Sequence, residues 1–232
     1  AIVPLLYDGT VAVNLGARIV PMPNGNLNIP KMISGSSAGS VGENKGKKAS
    51  KPVYANIKLT TKKLMNVVPI SNDIIRSSAY SSDMYVRDDM VMQMQLAMDA
   101  AVLFGPGTEY SPRGIKLTPG VVVPGATAGL PTSENTYLQV SVVEQANSAM
   151  ISMGWAFNAA FKALAYNMKD GDGRYLHREE LQKGLFHGFP YKLSNQIVTG
   201  TTGKKVTDVY FGDWSEVLIG EQMTLEVKLS EE

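Results

Sequence analysis

The sequence predicts an α+β fold, and three features carry that prediction. Two strand-like segments, Leu27–Ile33 and Val53–Ile70, flank a low-complexity loop; three helical stripes follow between residues 83 and 168; strand and turn patterns then alternate from Gly188 onward. Helical and strand-like stretches are therefore segregated along the 232 residues, a length that suits one large domain or two small ones.

In chain order, residues 1–22 alternate loosely (Val3, Leu5, Val11, Val13, Leu15, Ile19) between prolines and glycines and read as an extended arm with little core of its own. Leu27–Ile33 alternates apolar and polar residues, and Pro30 confines it to a sheet edge. Ser34–Pro52 is built mainly of Gly, Ser, Lys and Ala, without periodicity. Val53–Ile70 returns as a strand with Val53, Ala55, Ile57 and Leu59 on one face, so the whole forms a long hairpin around a 19-residue loop. A loop of that size within a compact domain calls for a functional explanation.

The longest helix is expected over 83–104. Ser82 can cap it and Asp83 suits its positive end. Val86, Met90, Met94, Ala97, Ala101 and Phe104 form one apolar stripe, and Gly105-Pro106-Gly107 stops it after about 33 Å. The methionines at 90, 92, 94 and 98 read as packing residues. A short buried strand is expected at Val121–Val123. A second helix is expected over Ser133–Met153 with Leu138, Val142, Ala146, Ala149 and Met153 on one side. A third spans Asn158–Met168, with Phe157, Phe161, Leu164, Ala165 and Met168 in register, and ends at the Asp170-Gly171-Asp172-Gly173 turn. Val206–Phe211 and Met223–Leu229 read as closing strands.

Composition excludes several kinds of chemistry. Without cysteine there is no disulfide scaffold, zinc knuckle or thiol nucleophile. The two histidines, His177 and His187, stand ten residues apart, so no metal or other cofactor is expected, and neither shows a serine or carboxylate constellation in the sequence. No apolar run of about 18 residues or signal peptide is present, so no membrane partner is expected. Gly35-Ser36-Ser37-Ala38-Gly39 matches a nucleophile elbow, but the Gly- and Lys-rich residues that follow cannot form the helix which that chemistry needs. Asp170–Gly173 lacks the third acid, glycine and glutamate of a calcium loop. Gly200-Thr201-Thr202-Gly203-Lys204 has two residues between its glycines where a phosphate loop needs four, and reads as a hairpin tip. Trp155 and Trp214 read as core anchors, and no catalytic residues are assigned.

The net charge of +1 conceals segregation. Residues 31–63 hold eight lysines against Glu43, a balance of +7; residues 206–232 hold seven acids against Lys228, a balance of −6; residues 83–104 carry −3. A basic arm and an acidic remainder in one chain suit a protein that meets copies of itself.

The order of motifs resembles the major capsid proteins of tailed bacteriophages, with the Hong Kong 97 capsid fold. Gly25-Asn26-Leu27-Asn28-Ile29-Pro30, the lysine-bearing loop and Ala55-Asn56-Ile57-Lys58-Leu59 are similar to that family's extended loop. Val67-Val68-Pro69-Ile70-Ser71 with Asp73-Ile74-Ile75 resembles the lead into its spine helix. Asp99, Leu103-Phe104-Gly105-Pro106-Gly107 and Pro112-Arg113-Gly114-Ile115 resemble the helix end. Asn158–Leu164, Lys169-Asp170, Gly173-Arg174-Tyr175-Leu176, Leu185 and Gly188-Phe189-Pro190 are similar to the central pattern, and Tyr210-Phe211-Gly212-Asp213-Trp214 with Ile219-Gly220 to the return strands.

The resemblance implies an N-terminal arm at 1–22, an extended loop hairpin at 23–69 reaching over a neighbour, and a peripheral domain at 70–118. It further implies an axial domain at 119–205 and return strands of the peripheral domain at 206–232. The expected function is shell assembly as pentamers and hexamers around double-stranded DNA, which is contacted weakly. Portal and scaffolding or protease proteins are the implied partners, and a virion assembled in the host cytoplasm is the implied location. Ala1 is expected to be the N-terminus left by maturation cleavage. Lys45, Lys47, Lys48 and Lys51 are expected to meet acids such as Asp88 and Asp89 of another subunit. Lys51 also lies near the lysine that some members join to a neighbour's asparagine, whereas that asparagine and a further closing strand would fall past Glu232. The competing readings are an encapsulin-type nanocompartment shell, which shares the fold, and a serine hydrolase using Ser37.

Overall fold

The computed structural model describes residues 9–40, 46, 49–69, 82–121, 131–146, 149–197 and 207–222. Within the described part of the expected arm, the chain folds. A one-turn helix, α1 (Val11–Asn14), precedes strand β1 (Arg18–Pro21). Val11, Ala12, Leu15, Ala17 and Met22 are buried, so the reading of 1–22 as an arm with little core is corrected for residues 9–22. The cause lies far along the sequence. β1 pairs in parallel with β8 (Leu218–Glu221), Arg18 opposite Leu218 and Pro21 opposite Glu221. No local pattern reveals such a partner.

The hairpin forms as expected from β2 (Asn26–Ser34) and β3 (Val53–Thr60), antiparallel, with Asn26 opposite Thr60 and a register shift between Met32 and Ser34. β3 ends ten residues earlier than the expected Ile70. The chain before Asn26 turns at Gly25, which has φ +74°, and the ladder ends at the Asn26–Thr60 pair. Thr61 N–H closes the base by donating to the Gly25 carbonyl at 3.0 Å.

The long helix, α2 (Ser82–Phe104), matches its expected span to within one residue. Its most buried positions are Val91, Asp99 and Leu103, whereas the expected stripe at 86, 90, 94, 97, 101 and 104 is half-buried. The buried line is rotated because one of its members is a carboxylate, which hydropathy assigns to solvent. Beyond α2, Gly114 N–H donates to the Gly105 carbonyl at 2.9 Å, and a Cβ on either glycine would collide with backbone of this turn. That close approach accounts for both glycines of the Gly105–Gly114 segment.

Helix α3 (Ser133–Gln145) is capped by Thr132, whose Oγ1 accepts from Asn135 N at 3.2 Å. It stops well short of the expected Met153, which instead opens strand β4 (Met153–Phe157), buried throughout. Thr136 and Val140 are its buried residues, and Leu138 faces outward. Val121, expected in a buried strand, is exposed; residues 122 and 123 lie outside the described residues. Helix α4 (Ala159–Tyr166) starts at Asn158, whose Oδ1 accepts from Phe161 N at 2.9 Å, and buries Phe161 and Ala165 as expected. The Asp170 turn also forms, with Oδ1 accepting from Asp172 N at 3.0 Å and Arg174 N at 2.9 Å. Helix α5 (Arg178–Gln182) follows, then β5 (Leu185–Phe186), β6 (Phe189–Leu193) and β7 (Tyr210–Asp213). β7 covers the last two residues of the expected closing strand and runs two residues beyond it, whereas Met223–Leu229 and Gly200–Lys204 lie outside the described residues.

The four-stranded sheet runs β5-β6-β4-β7, with β4 parallel to β6 and antiparallel to β7. Side chains alternate across a strand, so β4 feeds two cores. Ala156 packs with Val11, Leu15, Leu103, Ile197 and Trp214. Trp155 and Phe157 pack with Val140, Phe161, Ala165, Leu181 and Phe186. Both tryptophans are core anchors, as expected.

Candidate functional site

Polar junctions fix how the hairpin and the long helix leave the body. Val11 N–H donates to Asp99 Oδ1 at 2.8 Å, tying α1 to α2. Burial pushes the Asp99 carboxyl up, and the amides of Val11 and Ala12 draw it back in part. On the other side of the same core, Asp213 accepts from Ile151 N at 2.9 Å, Ser152 N at 3.1 Å, Ser215 N at 3.0 Å and Ser215 Oγ at 2.7 Å. Burial alone would raise Asp213, but these bonds outweigh it and hold the carboxyl below its ordinary value. Ser152 Oγ donates to the Leu15 carbonyl at 2.6 Å, and Trp214 Nε1 to the Gly154 carbonyl at 2.9 Å. At the hairpin base, Lys62 Nζ donates to the Glu109 carbonyl at 2.5 Å, bracing the ribbon against the turn after α2.

From this base the ribbon presents apolar side chains to solvent. Met32 is 58% exposed, Ile33 64%, Tyr54 64% and Met65 76%. Tyr85, on the first turn of α2, is 81% exposed, and Met92 is exposed further along it. A two-stranded ribbon is marginal in water without cover, and exposed apolar side chains facing each other across it, as Met32 and Tyr54 do, suit a protein contact.

Of the expected contact residues, Lys51 is exposed immediately before β3 and, among the described residues, makes no ion pair within the chain. Lys45, Lys47 and Lys48 lie outside the described residues, as does Ala1. Asp88 and Asp89 are exposed on α2, and Asp88 already pairs with Arg87 at 3.1 Å. Among the described residues, neither Asp88 nor Asp89 pairs with a lysine, and the lysine–aspartate pair that does form joins Lys116 to Asp208 at 2.5 Å. The exposed apolar residues of the ribbon went unremarked in the charge pattern; the signal for them is apolar residues on both faces of a two-stranded hairpin, as at Met32 and Ile33.

Ser37 sits in the exposed, irregular end of the hairpin, where its backbone bonds Ser50 Oγ at 2.9 Å. Both histidines lie elsewhere, and the reading of them as lacking serine and carboxylate neighbours is corrected. His177 Nε2 lies 2.9 Å from Ser133 Oγ, His187 Nε2 lies 2.8 Å from Thr136 Oγ1, and His177 Nδ1 lies 3.5 Å from Glu180 Oε2. Fold topology, across a sequence separation of 44 from Ser133 to His177, brings them together. Among the described residues no His, Asp or Glu group is arranged for a metal, and no helix is long and apolar enough to cross a membrane.

Comparison with known proteins places the chain among phage capsid proteins. The chain is 31% identical, over its whole length, to a major capsid protein of Klebsiella oxytoca phage phiKO2, of which it spans 56%. It is 23% identical over 98% of its length to a major capsid protein of a Halomonas phage, phiHAP-1, spanning 36% of that protein. It therefore covers about half or less of these curated relatives. Its fold is that of the capsid of a native GTA particle, with a TM-score of 0.72 over 94% of this chain and 78% of the other at 17% identity. This is the Hong Kong 97-like arrangement that the motif order implied. The model of the phage capsid family matches residues 2–232, and the chain belongs to that family.

Proposed function

We propose that this chain is a major capsid protein whose copies close into pentamers and hexamers and tile the head, icosahedral or prolate, of a tailed phage. The observation that carries the reading is the hairpin, which is anchored rigidly at Gly25, Thr61 and Lys62 yet leaves Met32, Ile33, Tyr54 and Met65 uncovered. A neighbouring copy is the occupant that suits it. Heterologous contacts of one type close into rings, and rings with two rotation angles close into a shell. Family membership supports a structural role without catalysis, in the virion.

The segments follow the same division: hairpin at 23–69, peripheral unit at 70–118 with 206–232, axial unit at 119–205. In the shell, the basic hairpin loop with Lys45, Lys47, Lys48 and Lys51 lies against an acidic surface of the next subunit, including Asp88 and Asp89 of its long helix. One exposed ion pair contributes only about 0–1 kcal/mol, so strength comes from many contacts and the apolar ribbon. Packaged double-stranded DNA meets the inner face weakly, because a tightly bound genome could not leave. Portal and scaffolding or protease proteins complete the assembly in the host cytoplasm.

Negative-stain microscopy and sedimentation of the purified chain test the reading, with closed angular particles as the expected result and a stable monomer as the contrary one. Nuclease-protected DNA in particles from infected cells separates a phage head from a nanocompartment. Replacing Lys45, Lys47, Lys48 and Lys51 together by glutamate is expected to weaken assembly or lower the particle melting temperature; unchanged particles would overturn the charge contact.

A further inference from the structure

Two imidazoles, two hydroxyls and one carboxylate meet where α3, α5 and the β5–β6 turn converge. The His177 and His187 rings stand edge to face with centroids 4.7 Å apart. Phe186 packs on both, at 5.0 and 4.4 Å, while Trp155 and Tyr137 flank His187 at 6.0 and 5.6 Å. The Nε2 atoms reach Ser133 and Thr136, both in the first turn of α3. Glu180 Oε2 accepts from His187 N at 3.1 Å and faces His177 Nδ1 at 3.5 Å.

We propose that His177, His187 and Glu180 form a proton-operated latch that holds the start of α3 against α5 and the β5–β6 turn at neutral pH and releases it in mild acid. The latch belongs to the folded chain itself and does not depend on shell assembly.

The hydrogen-bond roles support neutral rings. Thr136 Oγ1 lies 2.8 Å from the Ser133 carbonyl, which can only accept, so the hydroxyl proton goes there. His187 Nε2–H then donates into Thr136 Oγ1. Ser133 Oγ–H donates to His177 Nε2, while His177 Nδ1 is buried without a hydrogen-bond partner, 3.5 Å from Glu180 Oε2. These tautomers are assigned from the network. A second proton on His187 puts a positive charge beside the His177 ring and among Phe186, Trp155 and Tyr137.

The charges oppose protonation as well. Glu180 is the carboxylate facing the pair. Glu134 on α3 and Glu179 on α5 form no ion pair with either ring, and Arg178 is stacked on Tyr175 at 3.2 Å and Tyr166 at 4.8 Å. Two imidazolium ions would share one carboxylate beside the positive end of α3. Burial first, and the neighbouring His177 second, push His187 down from 6.5 to about 4, with Glu180 acting the other way. The folded state therefore binds fewer protons than the open one between these values. The latch is fully closed above pH 6.5 and loses stability as pH falls toward 4.

The placement of His187 suggests a role beyond the turn. It holds φ +49° before Gly188 at +80°, a two-residue hairpin that asparagine and glycine would suit. His187→Asn thus removes the titrating ring and keeps the turn.

Hydrogen–deuterium exchange on the full chain, corrected for intrinsic rates, tests the latch at pH 7 and pH 5. In the wild type, peptides within 133–145 and 183–193 are expected to lose protection about tenfold beyond the rest of the chain. His187→Asn should reduce that to less than about twofold. Glu180→Gln, which removes the one facing carboxylate, should steepen it below pH 5, read from a further point at pH 4. Equal losses in wild type and His187→Asn, or a shallower loss in Glu180→Gln, would overturn the latch. Should His187→Asn fail to fold, the direction of the Glu180→Gln change decides the matter.

Discussion

Asp99 and Asp213 flank one core and respond to acid with opposite signs. At Asp99 burial dominates, so the charge itself is costly while the oxygen acceptor is needed. Asp99→Ala would leave the buried Val11 amide without an acceptor and should cost about 1–3 kcal/mol. Asp99→Asn keeps an oxygen and should stay within about 1 kcal/mol of wild type. Because the folded carboxyl titrates above 3.8, its contribution is fully present below that value and is lost as pH rises. Urea denaturation at pH 4 and 7 should therefore show Asp99→Asn gaining on wild type at the higher pH. Asp213 behaves in reverse. Its folded value lies below 3.8, so its stabilisation is present above 3.8 and fades as pH falls through the lowered value. Asp213→Asn should flatten the acid limb of the melting curve below pH 4, and a limb as steep as in wild type would count against the four-bond clamp.

At the scale of elements, the turn after α2 depends on backbone packed too closely for side chains. Gly114→Ala forces a Cβ into the backbone of Gly105 and Phe104, with no flexible side chain to yield. It is expected to cost roughly 2 kcal/mol or more, read by chemical denaturation. The hairpin should behave differently: Tyr54→Ser with Ile33→Ser removes exposed groups, so subunit stability should change by less than about 0.5 kcal/mol per site while assembly falls. Elements of this kind were legible to different degrees for physical reasons. The hairpin, the α2 span and the α4 cap are local patterns, readable from alternation, periodicity and Asn158. The α1 fold depends on β8, some 200 residues later in the sequence, and on a buried carboxylate. The end of α3 was obscured because Leu138, Val142, Ala146 and Met153 keep helical spacing although Met153 belongs to a strand. The histidine cluster needed the fold itself, since Ser133, Thr136, His177 and His187 are brought together only in three dimensions.

At the scale of the whole molecule, the two cores share β4, and the return segment passes from β7 on the sheet to β8 beside β1. The body is thus tied at its middle, and the hairpin carries both exposed lysine and exposed apolar side chains, as at Lys51, Met32 and Tyr54, while apolar exposure also occurs on the body at Tyr85, Tyr110 and Ile151. These two kinds of surface respond oppositely to salt. Ion pairs between exposed groups weaken as the Debye length falls from about 10 Å at 0.1 M to about 3 Å at 1 M, whereas apolar burial is not screened and is strengthened by excluded salts such as sulfate. Under the proposed contact, particles should lose thermal stability between 0.1 and 1 M sodium chloride and regain it in sodium sulfate. The glutamate replacement of Lys45, Lys47, Lys48 and Lys51 should abolish or invert the chloride dependence, since like charges are then screened from one another. The Tyr54→Ser and Ile33→Ser pair should keep the chloride dependence and lose the sulfate gain. Differential scanning calorimetry of the assembled particles reads all three, and a chloride dependence unchanged by the glutamate replacement would place the charge contact elsewhere on the subunit.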